Sequence, residues 1–587
     1  MSVQQTLDTM ILSASGWRGV FAADGDEESS GGDISADHGV IAAAAARVFA
    51  AYLAGTGGGR PLVLIGRDTR PTGEAIAGRM IRAFIAAGCE VRFAGVTAAP
   101  EIMARARNFS GGRKGAGFVY ISASHNPRGH NGFKFGLTDG GVLPGPEAAK
   151  LTARLRELLA RPDAAAEETP EAAAEFARVL AGEAAEKEAA RQDYYDFALE
   201  TAGDESIAGA VRAGLAERPL GIAADLNGSA RTLSIDRAFI TGFGARYSAI
   251  NAEPGVIAHR IVPEGESLEP CREFLEARHA GDPSFVLGYV PDCDGDRGNL
   301  VIWDEGRART LEAQEVFALA CVSELAHLVR TGEAEGRKVA VAVNDPTSLR
   351  IDAIAGAFGA KVFRAEVGEA NVVSLARKLR EEGYVVRILG EGSAGGNITH
   401  PAAVRDPLNT IMAMMKLLAI RGDRGFFALW CARSGQEERY RPDFTFSGII
   451  ATLPSYISTG AYTEDAILRV RTADHALLKE RYQGVFLREW ETRKDYLAER
   501  YGITGWEAAA YQGIRETRGI SRFGDAGRGG LRIVFSKGRE ETACIWMRGS
   551  GTEPVFRVMA DAPGPDPRLE RDLIQWQRRM VTEADGS

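Results

Sequence analysis

The chain has 587 residues, and at about 150 residues per domain it holds material for roughly four domains. Hydrophobic residues make up 45% and charged residues 25%, enough apolar material for several cores, which excludes wholesale disorder. Lys+Arg is 70 and Asp+Glu is 79, so the net charge of -9 offers no footprint for general nucleic-acid binding or for an anionic membrane.

The first residues, MSVQQTLDTM, lack a basic stretch followed by an apolar one, so no secretory signal is expected. The longest apolar run, Val40 to Leu53, is mostly alanine and is broken by Arg47 short of membrane-spanning length. Arg60–Gly66 reads as a buried strand, Thr72–Gly88 as a helix and Glu90–Ala94 as a strand. Gly117–Ser122 reads as a strand that runs into a polar turn. The rhythm returns at Leu220–Asp225, Ser284–Val290, Lys338–Val343, Lys361–Glu366 and Val385–Leu389. Strand, helix, strand at this spacing predicts βαβ units and mostly parallel sheets, with ligands at the carboxyl ends of strands. Between these runs, Ala160–Gln192 is rich in Ala and Glu and reads as a solvated helical connection between a first and a second domain. Tyr482–Tyr511, with Trp490 and Trp506, reads as a helical insertion or a partner surface. The cysteines at 89, 271, 293, 321, 431 and 544 form no CxxC pair, and the eight histidines do not cluster. This fits reduced thiols in a cytoplasmic protein and argues against a zinc site.

Four polar loops carry chemistry. The first, Ile121-Ser-Ala-Ser-His-Asn-Pro127, follows a strand and precedes Asn131-Gly-Phe-Lys134. Ser124 with His125 and Lys134 nearby has the groups of a nucleophile or phosphoryl carrier with a general acid/base. The same residues also suit a polar turn with a capping serine. The second, Pro291-Asp-Cys-Asp-Gly-Asp-Arg297, lies between two apolar runs. Asp292, Asp294 and Asp296 can converge on one hard cation, and without a cation they would repel one another. An EF-hand fails here, because its sixth position is Arg297 instead of Gly and its twelfth is Trp303 instead of Glu. Magnesium beside a phosphate, with Arg297 as an anion partner, fits better. The third loop, Gly390-Glu-Gly-Ser-Ala-Gly-Gly396, offers Glu391 and Ser393 to a polyhydroxyl ligand, though Gly-rich loops after strands are common. The fourth, Arg548-Gly-Ser-Gly-Thr-Glu-Pro554, combines a guanidinium, hydroxyls and glycine N–H groups suited to a phosphate, with Arg557 close behind. Gly66-Arg-Asp-Thr-Arg70 reads as a structural Arg–Asp network.

In this order and spacing the four loops resemble the α-D-phosphohexomutases, the phosphoglucomutases and phosphomannomutases, over nearly the whole chain from Arg18 to Arg557. The resemblance implies an α/β architecture of four domains around a central cleft. Three α/β domains with mixed sheets would span 1–190, 191–305 and 306–425, and a smaller α+β domain 426–587. It implies interconversion of hexose 1-phosphate and hexose 6-phosphate, with glucose ahead of mannose, through a phosphoserine and a hexose 1,6-bisphosphate. Carried over by motif, Ser124 would be phosphorylated and would join Asp292, Asp294 and Asp296 around Mg2+, with Arg297 steadying the phosphate. Arg18, His125 and Lys134 would complete the catalytic set. Glu391 and Ser393 would meet the sugar, Glu369 and Asn371 of the Val367–Asn371 stretch would face substrate, and Arg548, Ser550, Gly551, Thr552 and Arg557 would grip the phosphate not being transferred. Glucose 1,6-bisphosphate would act as activator.

Two positions depart from family patterns. Gly395 stands where many phosphomannomutases carry His, and Gly392 where the glutamate-pair phosphoglucomutases carry Glu. A hexose-1,6-bisphosphate synthase and a phosphoglucosamine mutase therefore stay open as alternatives. An aspartyl-phosphate phosphatase would want Thr or Val at Asp296, and a non-catalytic sugar-phosphate-binding homologue would not need Ser124 and the aspartates intact. The expected partner is a sugar phosphate, with neither nucleic acid nor membrane, and the chain is expected to be a monomer or homodimer.

Overall fold

The computed structural model describes residues 2–586 except 14–15, 58, 162–169, 394 and 551–554. The chain divides into two compact units. One comprises Met1–Leu311 with Pro401–Met415, the other Glu312–His400 with Lys416–Ser587.

The first unit holds two mixed sheets. The first has six strands in the order Ile11–Ser13, Gly16–Val20, His130–Leu137, Ala116–Ile121, Leu62–Arg67, Glu90–Val96. Leu62–Arg67 is apolar almost throughout because both its faces are covered. Val63 and Ile65 pack with Phe49 and Phe84 on one side, and Leu62 and Leu64 with Ile102 and Phe118 on the other. Leu62–Arg67 runs parallel to Ala116–Ile121, with Arg67 opposite Ile121, so the loops after both strands leave from one edge. The second sheet has the order Arg307–Thr310, Gly298–Asp304, Phe285–Pro291, Gly221–Asp225, Arg246–Ile250. Pro291 pairs with Gly298, which closes residues 292–297 into a tight loop.

The second unit also holds two sheets. In one, Lys338–Asn344 runs parallel to Lys361–Ala365 and to Ile388–Gly390, which sets residues 345, 366 and 391 along one edge. The other is a seven-stranded antiparallel sheet. Its apolar face packs on the helices His475–Tyr501 and Arg568–Gly586 through Leu478, Tyr482, Phe486, Leu573 and Trp576.

Several expectations need correction. Val385–Leu389 is not one strand but two short ones, Tyr384–Val385 and Ile388–Gly390. Between them the Val386 carbonyl is taken by the Arg380 guanidinium at 2.7 Å, and Arg387 turns inward to Glu324 at 2.6 Å. The boundary at 305 falls inside a hairpin, because Arg307–Thr310 pairs with Gly298–Asp304. The boundary at 190 falls inside the helix Glu183–Ala202. That helix is not a solvated connection. Arg105 holds Glu186 and Asp193, each at 2.7 Å, Lys187 pairs with the buried Glu101, and Ala190 sits in the core. Trp490 belongs to the core of the seven-stranded sheet, with Trp506 packed against it. The run around Val40–Leu53 lies within Ala36–Thr56, a helix long and apolar enough by length and composition to cross a membrane. Here its residues Ile41, Ala45, Phe49 and Leu53 are buried against the six-stranded sheet.

Candidate functional site

Ser124 sits in the turn after Ala116–Ile121 and has φ +54°, a left-handed conformation that a non-glycine residue adopts at a cost. Its N–H donates to Ser122 Oγ at 2.8 Å, and its Oγ donates to Asp292 Oδ2 at 2.8 Å. The turn is held from behind by Arg70, which is fully buried. Arg70 Nη2 donates to the carbonyls of Ser124 and Asn126, both at 2.6 Å, and Nη1 donates to those of Pro127 and His130. Asp68 fixes the fork through Nε at 3.1 Å. The Arg–Asp network expected at Gly66–Arg70 is therefore present, and it supports the turn that carries Ser124.

The aspartate loop converges. One oxygen from each of Asp292, Asp294 and Asp296 lies within 4.8 Å of the others, and all three residues are buried. Gly295 has φ +66°, and a Cβ there would stand 2.4 Å from Arg231 Cδ, so the turn accepts only glycine. Lys134 Nζ donates to Asp294 Oδ2 at 3.0 Å and to Asp296 Oδ2 at 3.4 Å. Arg405 Nη2 donates to the same Asp296 oxygen at 3.0 Å. Asp294 Oδ1 and Asp296 Oδ1 are buried and have no hydrogen-bond partner among the described residues. Buried carboxylate oxygens without donors are costly. They are the donor set of a hard cation, so the three aspartates fit a divalent metal.

Electrostatics agree. Burial alone would raise the pKa of Asp296, but Arg405, Lys134 and Arg297 outweigh it and hold the carboxyl below its ordinary value. Asp292 is pushed well up by burial and then by Asp294 and Asp296, as expected for a third carboxylate short of positive charge. Arg18 is 4% exposed, and burial lowers its pKa to about 10 against the pull of Asp294. His125 is buried in the same turn as Ser124. The backbone N–H of Arg297 donates to Asp292 Oδ1 at 3.2 Å.

In the second unit, Glu391 is 4% exposed, and its Oε1 accepts from Gly368 N at 2.8 Å and from Asn344 Nδ2 at 3.4 Å. The same amide donates to Ser393 Oγ at 3.1 Å. The Gly-rich loop and the Val367–Asn371 stretch therefore meet. Glu369 opens the helix Glu369–Glu381 and is buried, while Asn371 Nδ2 donates to the carbonyls of Glu366 and Val367, which serves the loop itself. Arg548 and Arg557 lie directly opposite on paired strands. Side chains so placed share a face, which brings two like charges together. The Nε and Nη2 edge of Arg548 rests on Glu366 Oε1 at 3.0 and 2.9 Å. Arg557 donates to the Ala461 carbonyl and packs over Tyr462. Ser550 N donates to Val555 O at 2.8 Å, closing the loop, and Gly551 and Thr552 lie outside the described residues.

Arg405 and Asn344 were missed by sequence reasoning. Arg405 lies in Ala-Val-Arg-Asp-Pro, 109 residues beyond Asp296, in no motif that marks it as a ligand partner. Asn344 ends a buried strand, and its signal is the polar residue at the strand's carboxyl end.

The phosphoglucomutase/phosphomannomutase alpha/beta/alpha domain I family model matches residues 13–161, and the domain III model matches residues 317–426. The chain is similar to a phosphoglucomutase/phosphomannomutase of Thermococcus kodakarensis, with 26% identity over 91% of this chain and 93% of that protein. It is also similar to a phosphoglucosamine mutase of a Janthinobacterium species, with 26% identity over 86% of this chain and 87% of that protein. Among solved structures, a phosphoglucomutase/phosphomannomutase family protein of Burkholderia thailandensis has the same fold, with a TM-score of 0.63 and 18% identity over 98% of this chain and 97% of that one. The chain belongs to the α-D-phosphohexomutase family of isomerases.

Proposed function

We propose that the chain interconverts hexose 1-phosphate and hexose 6-phosphate, glucose first, through a phosphorylated Ser124 and a hexose 1,6-bisphosphate. The observation that carries this reading is the Ser124 Oγ at 2.8 Å from Asp292, in a triad with two unpartnered buried oxygens. Asp292, Asp294 and Asp296 would hold Mg2+ together with the Ser124 phosphate. When bound there, the ion would supply positive charge against the phosphoryl oxygens.

The remaining steps belong to this chain's own residues. A substrate hydroxyl attacks phosphorus, the bond from phosphorus to Ser124 Oγ breaks, and His125 relays the hydroxyl proton to the departing Ser124 Oγ. The bisphosphate formed then returns its other phosphoryl group to Ser124. Arg297 and Arg18 balance charge on the phosphoryl oxygens. Lys134, ion-paired to Asp294 and Asp296, balances the triad and is not assigned as an acid/base. Glu391 and Ser393 orient the sugar, and Arg548 and Arg557 hold the phosphate not being transferred.

The test is a coupled assay of glucose 1-phosphate conversion to glucose 6-phosphate with magnesium and a trace of glucose 1,6-bisphosphate. Mannose 1-phosphate and glucosamine 1-phosphate run alongside. Relatives such as the Janthinobacterium phosphoglucosamine mutase support glucosamine phosphate as the second reading, and a preference for it in this panel would replace glucose. Inactivity on all three would overturn the proposed reaction.

Two variants probe the halves of this reading. Arg70→Lys keeps the charge, but an ammonium cannot fork to four carbonyls. Ser124 then loses its fixed position, and kcat falls about 100-fold, the cost of a nucleophile displaced by about 1 Å. A rate close to the parent's in steady-state kinetics, with an unchanged melt, would free Ser124 from this support. In Glu391→Gln, Gly368 N and Asn344 Nδ2 keep the carbonyl oxygen on their side, so the amide nitrogen points where a carboxylate oxygen had been. An acceptor becomes a donor, and both kcat and kcat/KM fall by about 10- to 100-fold. A full-rate variant would remove Glu391 from the site.

A further inference from the structure

We propose that Arg528 is a further phosphate-binding residue of this chain, presented beside the Arg548–Gly549 strand end by a Gly-Arg-Gly loop pinned on the buried Lys479. The proposal rests on the assignment of Arg548 to the phosphate not being transferred.

The loop is tightly specified. Gly527 has φ +55°, and a Cβ at Gly529 would stand 1.9 Å from the Tyr511 carbonyl oxygen, so both flanks of Arg528 need glycine. Lys479 is fully buried on the helix His475–Tyr501. Its ammonium donates to the Gly527 carbonyl at 2.9 Å and to the Gly529 carbonyl. The carbonyls on either side of Arg528 are thus drawn inward, while Arg528 itself is exposed. Among the described residues, no carboxylate stands within ion-pair distance of Lys479. A buried ammonium held only by neutral carbonyls is costly, and an anion nearby offsets that cost. Burial and then Arg548 push the Lys479 pKa down to about 7, against the pull of Asp345 and Glu366.

One turn earlier on the same helix face, His475 ties this loop to the phosphate side. A Cβ at Gly549 would stand 2.1 Å from His475 Cε1, so the residue after Arg548 lies flat on the imidazole. Burial lowers the His475 pKa, and Lys479, Arg528 and Arg548 lower it further. Arg528 and Arg548 therefore stand within electrostatic reach of one imidazole. The neighbouring arginines are already engaged. Arg548 has its Nε and Nη2 edge on Glu366, and Arg557 donates to the Ala461 carbonyl. Arg528 has neither a hydrogen bond nor an ion pair among the described residues. It keeps five N–H donors in a planar fork, which takes phosphate oxygens two at a time. Arg528 and Lys479 both lack a paired carboxylate, and a phosphate dianion brings the missing charge.

The experiment is Arg528→Ala in the full chain, titrated by calorimetry with glucose 1-phosphate, glucose 6-phosphate and inorganic phosphate, with steady-state kinetics alongside. Loss of one charge-assisted fork should weaken binding of all three about tenfold and raise KM by about as much. The grip acts in ground state and transition state alike, so kcat should change by less than about threefold, with an unchanged melt. Arg528→Lys keeps the charge without the fork and should recover only part of the loss. In an Arg548→Ala background, Arg528→Ala should cost less than about threefold, because both arginines serve one phosphate. Affinities and KM equal to the parent's in a folded Arg528→Ala chain, or a full tenfold loss in the Arg548→Ala background, overturn the role of Arg528 and leave the mutase reading standing. A parent chain inactive on every sugar phosphate overturns the mutase reading, and the inorganic phosphate titration then decides Arg528 by itself.

Discussion

Ser124→Ala is expected to lower turnover of hexose phosphate by more than about 10^4-fold, the scale of losing a covalent nucleophile. The lost atom is the one that would carry the phosphoryl group, and the described neighbours offer no second hydroxyl in its geometry. Ser122, two residues earlier, has its Oγ engaged by the Ser124 N–H at 2.8 Å. The fold should tolerate the change. Arg70 holds the turn through backbone carbonyls, which alanine keeps, and Ser124 N still donates to Ser122. One cost is clear: Asp292 Oδ2 loses the donor at 2.8 Å. Melting temperature and circular dichroism should therefore stay close to the parent's while activity vanishes. Mass spectrometry after incubation with glucose 1,6-bisphosphate adds a direct readout, with the parent chain gaining a phosphate on the peptide that contains Ser124 and the variant gaining none. Normal turnover by the variant would end the phosphoserine mechanism.

The contrast between Ser124 and Arg70 shows what the chain reveals before folding. Ser124, the three aspartates and Glu391 lie in short polar loops after apolar runs, and Arg548 stands at the end of such a run. A strand followed by a turn exposes such loops at a sheet edge, so their chemistry can be read from contiguous residues. The parallel strands behind them are equally legible, because burial on both faces writes a continuous apolar run. Support residues are different. Arg70 reads as a structural arginine, and its target is fixed only because Arg67 and Ile121 are neighbours in a parallel pair. Arg405 reaches Asp296 across 109 residues. Lys134 is visible in the sequence, but its ion pairs with Asp294 and Asp296 are set by strand pairing opposite Tyr120. Composition misleads in Ala160–Gln192, because alanine and glutamate suit a solvated helix as well as a docked one. Arg105 and Glu101, far away in sequence, decide for docking through Glu186, Asp193 and Lys187.

Asp294→Asn is the sharpest probe of the metal half of the site. The side chain keeps its shape and loses its charge. In the parent, Oδ2 meets Lys134 at 3.0 Å while Oδ1 stays buried without a hydrogen-bond partner among the described residues. An amide can still face Lys134 with its oxygen. Its nitrogen then occupies the Oδ1 position and points two protons at the space between the aspartates. A cation there would lose one of three anionic ligands and would meet a donor. The expected result is a fall in kcat of about 10^3-fold, close to 4 kcal/mol of transition-state stabilisation, together with a higher magnesium concentration for half-activation. Stability should move the other way or not at all, since one of the crowded buried carboxylates is gone. That opposition separates a metal role from a structural one, for a structural aspartate would lose stability and leave the magnesium dependence alone. Chelation of the parent chain should abolish activity and magnesium should restore it. An Asp294→Asn variant with the parent's magnesium curve, or a parent chain indifferent to chelation, would take the cation out of the mechanism and leave Lys134, Arg405 and Arg297 as the charge partners of the triad.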